Sequence, residues 1–543
     1  MSALHPDLTP DVDLLAEPGT GPVRSRRPLY RDFLPPCNEA CPAGESIQAW
    51  LAMAAAGRPR EAWEILVRDN PLPAVHGRVC YHPCEPACNR AELESAVSIH
   101  AVERSLGDQA VEERWPLPRE TAPGGRRVLI VGAGPAGLSA GYHLARLGHA
   151  VEIHDAESQA GGMMRFGIPA YRLPREVLEQ EVRRLAAFGV DLVLGQRITD
   201  LLQARAAGCF DAVFIAIGAH VSQHIAIPAR DATRLVDALS LLKDVSVGER
   251  PRLGRRVVVY GGGNTALDAA RTLKRLGATD PLIIYRRDRA HMPAHALETQ
   301  EAEEEGIRFK WLTTIREVSD DGLTVEQMTL DGEGHPQPTG RFERIEADAV
   351  VLAVGQQSES AFLASVPGIE ITAGGTVKVG DNLMTGSPGI FAGGDLVPGE
   401  RTVTAAVGYG KRAARHIDAW LRGLTYAAPP APPRVTFSML HLPLFSDALR
   451  SVQPKLAADM RTEDFSEVLS GLSPPQAVRE AKRCLSCGNC YECDICHAAC
   501  PERAIEKLGP GRGYRVDYER CTGCAVCFES CPCHAIELID EPR

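Results

Sequence analysis

Nowhere in the 543-residue sequence does an apolar run approach the length of a membrane span. The longest, such as Ala212–Ala219, stop far short of the ~20 residues a bilayer requires. Basic charge is not in excess either. A formal net charge of -11 at pH 7 argues against nucleic acid or an anionic membrane as partner, and says nothing of fold. The opening residues, Met1–Thr20, are acidic and lack the basic start and apolar core of a signal peptide, so a cytoplasmic location is expected. Cysteine is nearly missing from the middle of the chain. Of 17 cysteines, only Cys209 lies between Cys88 and Cys484, and it is expected to be a small buried apolar residue. The other 16 form two end fields, Cys37–Cys88 and Cys484–Cys533. Without an export signal, disulfides are disfavoured and metal ligation is the better reading. A chain this long holds several domains, since single cores rarely grow past about 250–300 residues.

What is present begins with Arg127–Ala140, a buried strand (Val128–Val131) running into Gly132-Ala133-Gly134-Pro135-Ala136-Gly137 and then a helix. In such a fingerprint the first glycine permits the turn, the second lets backbone approach a pyrophosphate, and the third lets helix pack on strand. A second strand follows and ends in Asp155, at the spacing of a carboxylate that bonds ribose hydroxyls. The unit continues through Gly161-Gly162 and Gly167–Pro174, which contains Arg172, to a strand ending at Gly218.

A second fingerprint starts at Val257 and reads Gly261-Gly262-Gly263-Asn264-Thr265-Ala266, with Ala266 in place of the third glycine. Where the first unit has Asp155, this one has Arg286 and Arg287. An acid suits ribose hydroxyls and guanidinium groups suit a 2′-phosphate, so the first site is expected to take FAD and the second NADPH. Residues Ala347–Gly355 repeat the pattern of Asp211–Gly218, which predicts two related nucleotide units, the second inserted in the first. Ile390–Asp395 then reads as an apolar strand ending in Gly393-Gly394-Asp395, a carboxylate position that faces the ribityl chain in many two-dinucleotide flavoproteins. Thr402–Leu421 reads as a helix whose N-terminus faces the flavin.

The C-terminal spacing is the most specific in the chain. Cys490-x2-Cys493-x2-Cys496-x3-Cys500-Pro501 is repeated as Cys521-x2-Cys524-x2-Cys527-x3-Cys531-Pro532. This is two-cluster bacterial ferredoxin spacing, in which the fourth cysteine of each run serves the other cluster. One [4Fe-4S] cluster is thus expected on Cys490, Cys493, Cys496 and Cys531, the other on Cys521, Cys524, Cys527 and Cys500. The five N-terminal thiols, Cys37, Cys41, Cys80, Cys84 and Cys88, flank a helical stretch with Ile47, Trp50, Leu51, Trp63, Ile65 and Leu66 as core candidates. Their short spacings suit an iron–sulfur cluster or zinc.

These ordered motifs resemble the small (β) subunit of NADPH-dependent glutamate synthase, a family shared with the N-terminal half of dihydropyrimidine dehydrogenase. The resemblance spans roughly residues 35 to 420 and rests on Cys41-Pro42, Gly77–Cys88, Gly132–Gly137, Gly167–Pro174, Gly261–Asp268, Met292-Pro293-Ala294 and Ala392–Asp395. It implies FAD near Gly132–Gly137, Asp155, Arg172 and Asp395, and NADPH near Gly262–Thr265, Arg286, Arg287 and Gly355. It also implies two [4Fe-4S] clusters in the N-terminal domain. The chain departs from the family by lacking an Arg-Cys-x-x-Cys before Cys37, and it has a similar phrase, Arg483-Cys484-x2-Cys487, at the far end. The expectation is that Cys484 and Cys487 dock back: one cluster on Cys37, Cys88, Cys484 and Cys487, the other on Cys41, Cys80, Cys84 and, at the family's oxygen-ligand position, Glu103. The alternative is one N-terminal cluster. Cys533 has no assigned role.

The expected fold is therefore multidomain α/β. Residues 1–115 form an arm (to about residue 30) and a helical iron–sulfur domain. Residues 116–235 and 351–425 form the FAD domain, with the NADPH domain, 236–350, inserted. A wrapping segment, 426–480, precedes an α+β ferredoxin-like domain at 481–543. The expected function is electron transfer among NADPH, FAD and [4Fe-4S] clusters to or from ferredoxin or a larger oxidoreductase, such as a 2-oxoacid:ferredoxin oxidoreductase or a dissimilatory sulfite reductase. The alternatives are a glutamate synthase small subunit or a non-enzymatic carrier. Hydride transfer to flavin needs no acid–base side chain, so no catalytic residue is named.

Overall fold

The computed structural model describes residues 24–119, 121, 124–223, 227, 235–319 and 322–541. The acidic opening stretch and three residues of the 116–125 linker (120, 122 and 123) lie outside the described residues. Two five-stranded sheets, all parallel, dominate. In the first, the order is Ile390–Ala392, Ala212–Ile215, Arg127–Val131, Ala150–His154, Val190–Val193. In the second it is Arg308–Lys310, Leu282–Ile284, Val257–Tyr260, Ala349–Leu352, Leu235–Asp237. Each glycine fingerprint follows the central strand of its sheet, where strand order reverses and open α/β sheets bind ligands. Val128–Val131 and Val257–Tyr260 are buried on both faces, hence their apolar runs Val-Leu-Ile-Val and Val-Val-Val-Tyr. The two chain crossings between the sheets pair antiparallel, Gln356 with Ser222 and Gln357 with Val221.

Residues 313–345 carry a feature the sequence reading passed over. Thr313–Ser319, Gly322–Leu330 and Pro336–Ile345 form a three-stranded antiparallel meander beside the second sheet. Its last strand is exposed almost throughout and contains Pro336 and Pro338, so the apolar alternation that marks a strand is absent.

Helices Ile47–Ala55, Pro59–Leu66, Pro73–Val79 and Ile99–Glu112 form the N-terminal bundle, with Trp50, Leu51, Trp63 and Leu66 buried as expected and Ile65 only partly so. Helix Val403–Leu421 clamps this bundle to the first sheet. Thr402 caps it by accepting from Ala405 N–H at 3.1 Å. Gly408 lies so close to Pro42 that a Cβ would sit 2.0 Å from its carbonyl oxygen; at Gly410 a Cβ would sit 2.3 Å from Ala136 O. The one helix therefore touches both the Cys41-Pro42 turn and the first fingerprint.

The two chain ends meet. Arg26–Tyr30, expected as part of a loose arm, is a strand paired antiparallel with Ile536–Asp540. Arg24 fastens it by bonding both Glu541 carboxylate oxygens and the Tyr518 and Cys521 carbonyls. Alternation in Arg-Arg-Pro-Leu-Tyr is too short to announce a strand without its distant partner. The 426–480 segment runs over other units: Glu467 bonds Arg78 and Arg104, and Lys455 and Arg461 bond Glu304. Cys209 is exposed rather than buried, in a turn after helix Leu201–Ala207 at φ 51°. The adjacent Gly208 and Phe210, not the thiol, carry the packing there, since a Cβ on Gly208 would meet the Phe210 ring. No described helix is long and apolar enough to cross a membrane.

Candidate functional site

A single cavity of about 1400 Å³ spans both glycine turns. Gly132, Gly134, Pro135, Ala136, Asp155, Gly162, Arg172, Gly218, Gly394, Asp395 and Thr402 line it from the first unit. From the second come Gly261, Gly262, Gly263, Asn264, Thr265, Arg286, Arg287 and Gly355. Ala133 and Gly137 do not line it and serve the turn instead. Ala133 N–H donates to Asp155 Oδ2 at 2.6 Å, and a Cβ on Gly137 would lie 1.9 Å from Gly132 O. Gly132 holds φ 109°, a region that favours glycine. By contrast, a Cβ at Gly134 would meet nothing nearer than 4.0 Å, and one at Gly263 nothing at all. Those positions leave open room over a helix N-terminus, the shape a dinucleotide phosphate needs.

The charges around the cavity differ between its halves. Burial raises Asp155 above the ordinary carboxylate range, while bonds from Ala133 and Glu157 N–H oppose that shift. Burial also pushes Asp395 up to about 6, with Arg401 opposing. In the second half, Arg287 keeps a buried Nε without a hydrogen-bond partner, a donor suited to an anionic oxygen. Arg172, expected at the flavin, reaches across to the second unit and pairs with Asp268 (2.9 Å) and with Glu298. Residues that the sequence reading missed, among them Tyr81, His154, Lys243, Gln356 and Arg401, also line the cavity. They sit outside the glycine motifs, and no local spacing marks them.

The thiols gather in four groups. Cys37, Cys88, Cys484 and Cys487 line one small cavity, and Cys37 is raised by burial and by the other three. Gln48 Nε2 donates to Ser486 Oγ at 2.5 Å, which ties the distant loop to the N-terminal helices. Arg483, 2% exposed, anchors the same loop through the Ser95, Ala96 and Ala448 carbonyls and Glu480. Cys41, Cys80 and Cys84 adjoin one another, since each of Cys41 and Cys80 adds to the upward push on Cys84. Cys490, Cys493, Cys496 and Cys531 form a third group. Cys500, Cys521, Cys524 and Cys527 line a second small cavity. Burial pushes up Cys37, Cys41, Cys80, Cys84, Cys88, Cys484 and Cys487, thiols that ionise once a cationic centre holds them as thiolates, so these donor sets fit metal clusters.

Glu103 is buried, its carboxylate raised by desolvation and by Glu45. Asn70 Nδ2 lies within hydrogen-bond distance of Glu45 Oε1 (3.0 Å), Glu103 Oε1 (2.8 Å) and His76 Nδ1 (2.8 Å). Both carboxylates act electrostatically on Cys41 and Cys80. Sequence reasoning missed Glu45, which lies four residues after Cys41 and has no motif of its own. Cys533 is 2% exposed with its sulfur 3.9 Å from Cys531 Sγ, beside the third group.

Two nucleotide-binding sheets sharing one cavity, flanked by thiol clusters, define a pyridine-nucleotide-dependent iron–sulfur oxidoreductase of the flavoprotein type. The pyridine nucleotide-disulphide oxidoreductase pattern matches residues 126–410, and the chain belongs to that family. Residues 30–115 match dihydropyrimidine dehydrogenase domain II, 4Fe-4S cluster, and residues 514–537 match a 4Fe-4S binding domain. The NADP(+)-dependent formate dehydrogenase subunit beta of Moorella thermoacetica is 35% identical over 511 residues, covering 84% of this chain and 71% of that one. The NADPH-Fe(3+) oxidoreductase subunit beta of Geobacter sulfurreducens is 34% identical over 506 residues, covering 84% and 75%. The glutamate synthase [NADPH] small chain of Escherichia coli is 34% identical over 418 residues, covering 71% and 89%.

Proposed function

We propose that the chain carries electrons between NADPH and ferredoxin, or a larger oxidoreductase partner, through FAD and four [4Fe-4S] clusters. The observation that carries this reading is spacing. Cys487 of one thiol group and Cys490 of the next are three residues apart, at most about 11 Å of chain, so the N-terminal and C-terminal groups are neighbours. Gly488, between them, donates its N–H to Cys533 O at 2.5 Å and ties this bridge to the far run beside Cys531.

In this reading Gly134 and the first helix N-terminus hold the FAD pyrophosphate, Asp155 the ribose, and Asp395 the ribityl chain. Gly263 and its helix N-terminus hold the NADPH pyrophosphate, and Arg286 and Arg287 the 2′-phosphate. Cys41, Cys80, Cys84 and Glu103 would ligate the cluster next to the flavin, since Thr404, on the helix whose start lines the cavity, adjoins Cys80. Cys37, Cys88, Cys484 and Cys487 would ligate its neighbour, followed by the two ferredoxin-type sites. Flavin supplies the conversion of a hydride into single electrons, which nicotinamide and clusters cannot exchange directly. The protein aligns the rings, keeps water out and sets the order of the sites. The Moorella and Geobacter relatives are named as beta subunits, which supports a docked partner as the acceptor.

The test is anaerobic NADPH oxidation by the full chain with a low-potential ferredoxin as the only acceptor and NADH alongside. Rapid ferredoxin reduction that favours NADPH is expected. No flavin bleaching with either nucleotide would overturn the reading.

A further inference from the structure

Tyr81 stands directly after Cys80 and touches the nucleotide turn of the second sheet, more than 180 residues away. Its own turn is stiff. Helix Pro73–Val79 ends at Cys80 in extended backbone, and Cys80 N–H returns to His76 O. His82 takes φ 42°, donates its N–H to Cys80 Sγ at 3.2 Å, and stacks on His100 with ring centroids 4.1 Å apart. Tyr81 thus leaves a fixed loop and enters the large cavity.

There its hydroxyl accepts a hydrogen bond from Asn264 Nδ2 at 2.6 Å. Asn264 is the first residue of the helix that follows Gly261-Gly262-Gly263, and its Oδ1 accepts from His295 N–H at 2.8 Å. The Tyr81 ring stacks on the His295 ring, centroids 4.7 Å apart and planes 18° from parallel. The three residues close a ring that braces the start of the second fingerprint helix from the N-terminal bundle. A phosphate-binding turn works by presenting backbone N–H groups at fixed angles, so a brace on its first helical residue governs how well it grips.

We propose that Tyr81 is a positioning residue for NADPH, holding Asn264 and the adjoining turn in the geometry that binds the pyrophosphate and linking nucleotide occupancy to the Cys80 loop. This rests on the second turn being the NADPH site. The hydroxyl accepts from Asn264 and also bonds Glu298 and Arg172, so it is held from both units.

The experiment compares the wild-type chain with Y81F, both purified anaerobically with flavin and iron content measured. Loss of the bond to Asn264 is expected to raise the KM for NADPH about fivefold while kcat falls less than about twofold, with flavin and iron unchanged. In the dithionite-reduced protein, added NADPH, which takes no electrons from the clusters, is expected to perturb the iron–sulfur EPR spectrum of the wild type at about fivefold lower concentration than that of Y81F. Equal KM values together with equal EPR responses would overturn the role of Tyr81. Failure of the wild type itself to oxidise NADPH would instead overturn the function on which it rests.

Discussion

The cysteines of the two chain ends differ in how their neighbours are gathered. Cys490–Cys531 lie in one short segment, and their groups follow two repeated runs that exchange their fourth members. Cys37 and Cys88 instead meet Cys484 and Cys487, residues from the opposite end of the chain. In the first case spacing alone tells which thiols meet. In the second the meeting depends on a docked loop, so anchors away from the thiols decide it. Loop closure over so long a stretch is not prohibitive, because each doubling of length adds only about 0.6 kcal/mol. Arg483 and the Gln48–Ser486 bond are such anchors.

The sharpest way to break the contrast is Arg483→Ala. It leaves Glu480, itself fully buried, without its cation, and such a loss typically costs about 3–5 kcal/mol. Thermal or denaturant unfolding should show that drop, with iron lost from the N-terminal sites before the ferredoxin-type ones. Equal iron loss from all sites would deny that the loop is an N-terminal anchor. A smaller effect is expected from the nucleotide half. Replacing Arg286 and Arg287 together by alanine should cut the preference for NADPH over NADH by about tenfold to a hundredfold, the range for charge-assisted bonds, and leave NADH turnover nearly unchanged. Steady-state kinetics with both nucleotides checks this. The smallest change concerns the self-contained end. Arg24→Ala should release the Arg26–Tyr30 strand to limited proteolysis, because it removes bonds to Glu541, to the Tyr518 and Cys521 carbonyls and to the Cys521 thiol.

Much of this was legible in the residues. Strand–glycine–helix runs located both central strands, and the helix read as Thr402–Leu421 is present as Val403–Leu421, because these features depend on neighbours a few residues away. The Gly408 and Gly410 contacts were not legible, since nothing near a helical glycine tells which backbone it will meet. The strand at Arg26–Tyr30 needed its partner at Ile536–Asp540, and Glu45 needed Asn70 to bring it beside Glu103. Cys209 went the other way. A lone cysteine was expected in a core, and it occupies an exposed turn.

The central claim is that Cys484 and Cys487 complete a cluster on the N-terminal bundle. It is tested most directly by counting iron, flavin and EPR spins in the C484S/C487S chain purified anaerobically beside the wild type. The account predicts the loss of about four irons and one cluster signal, with flavin and the ferredoxin-type signals retained. Iron content equal to the wild type would contradict it.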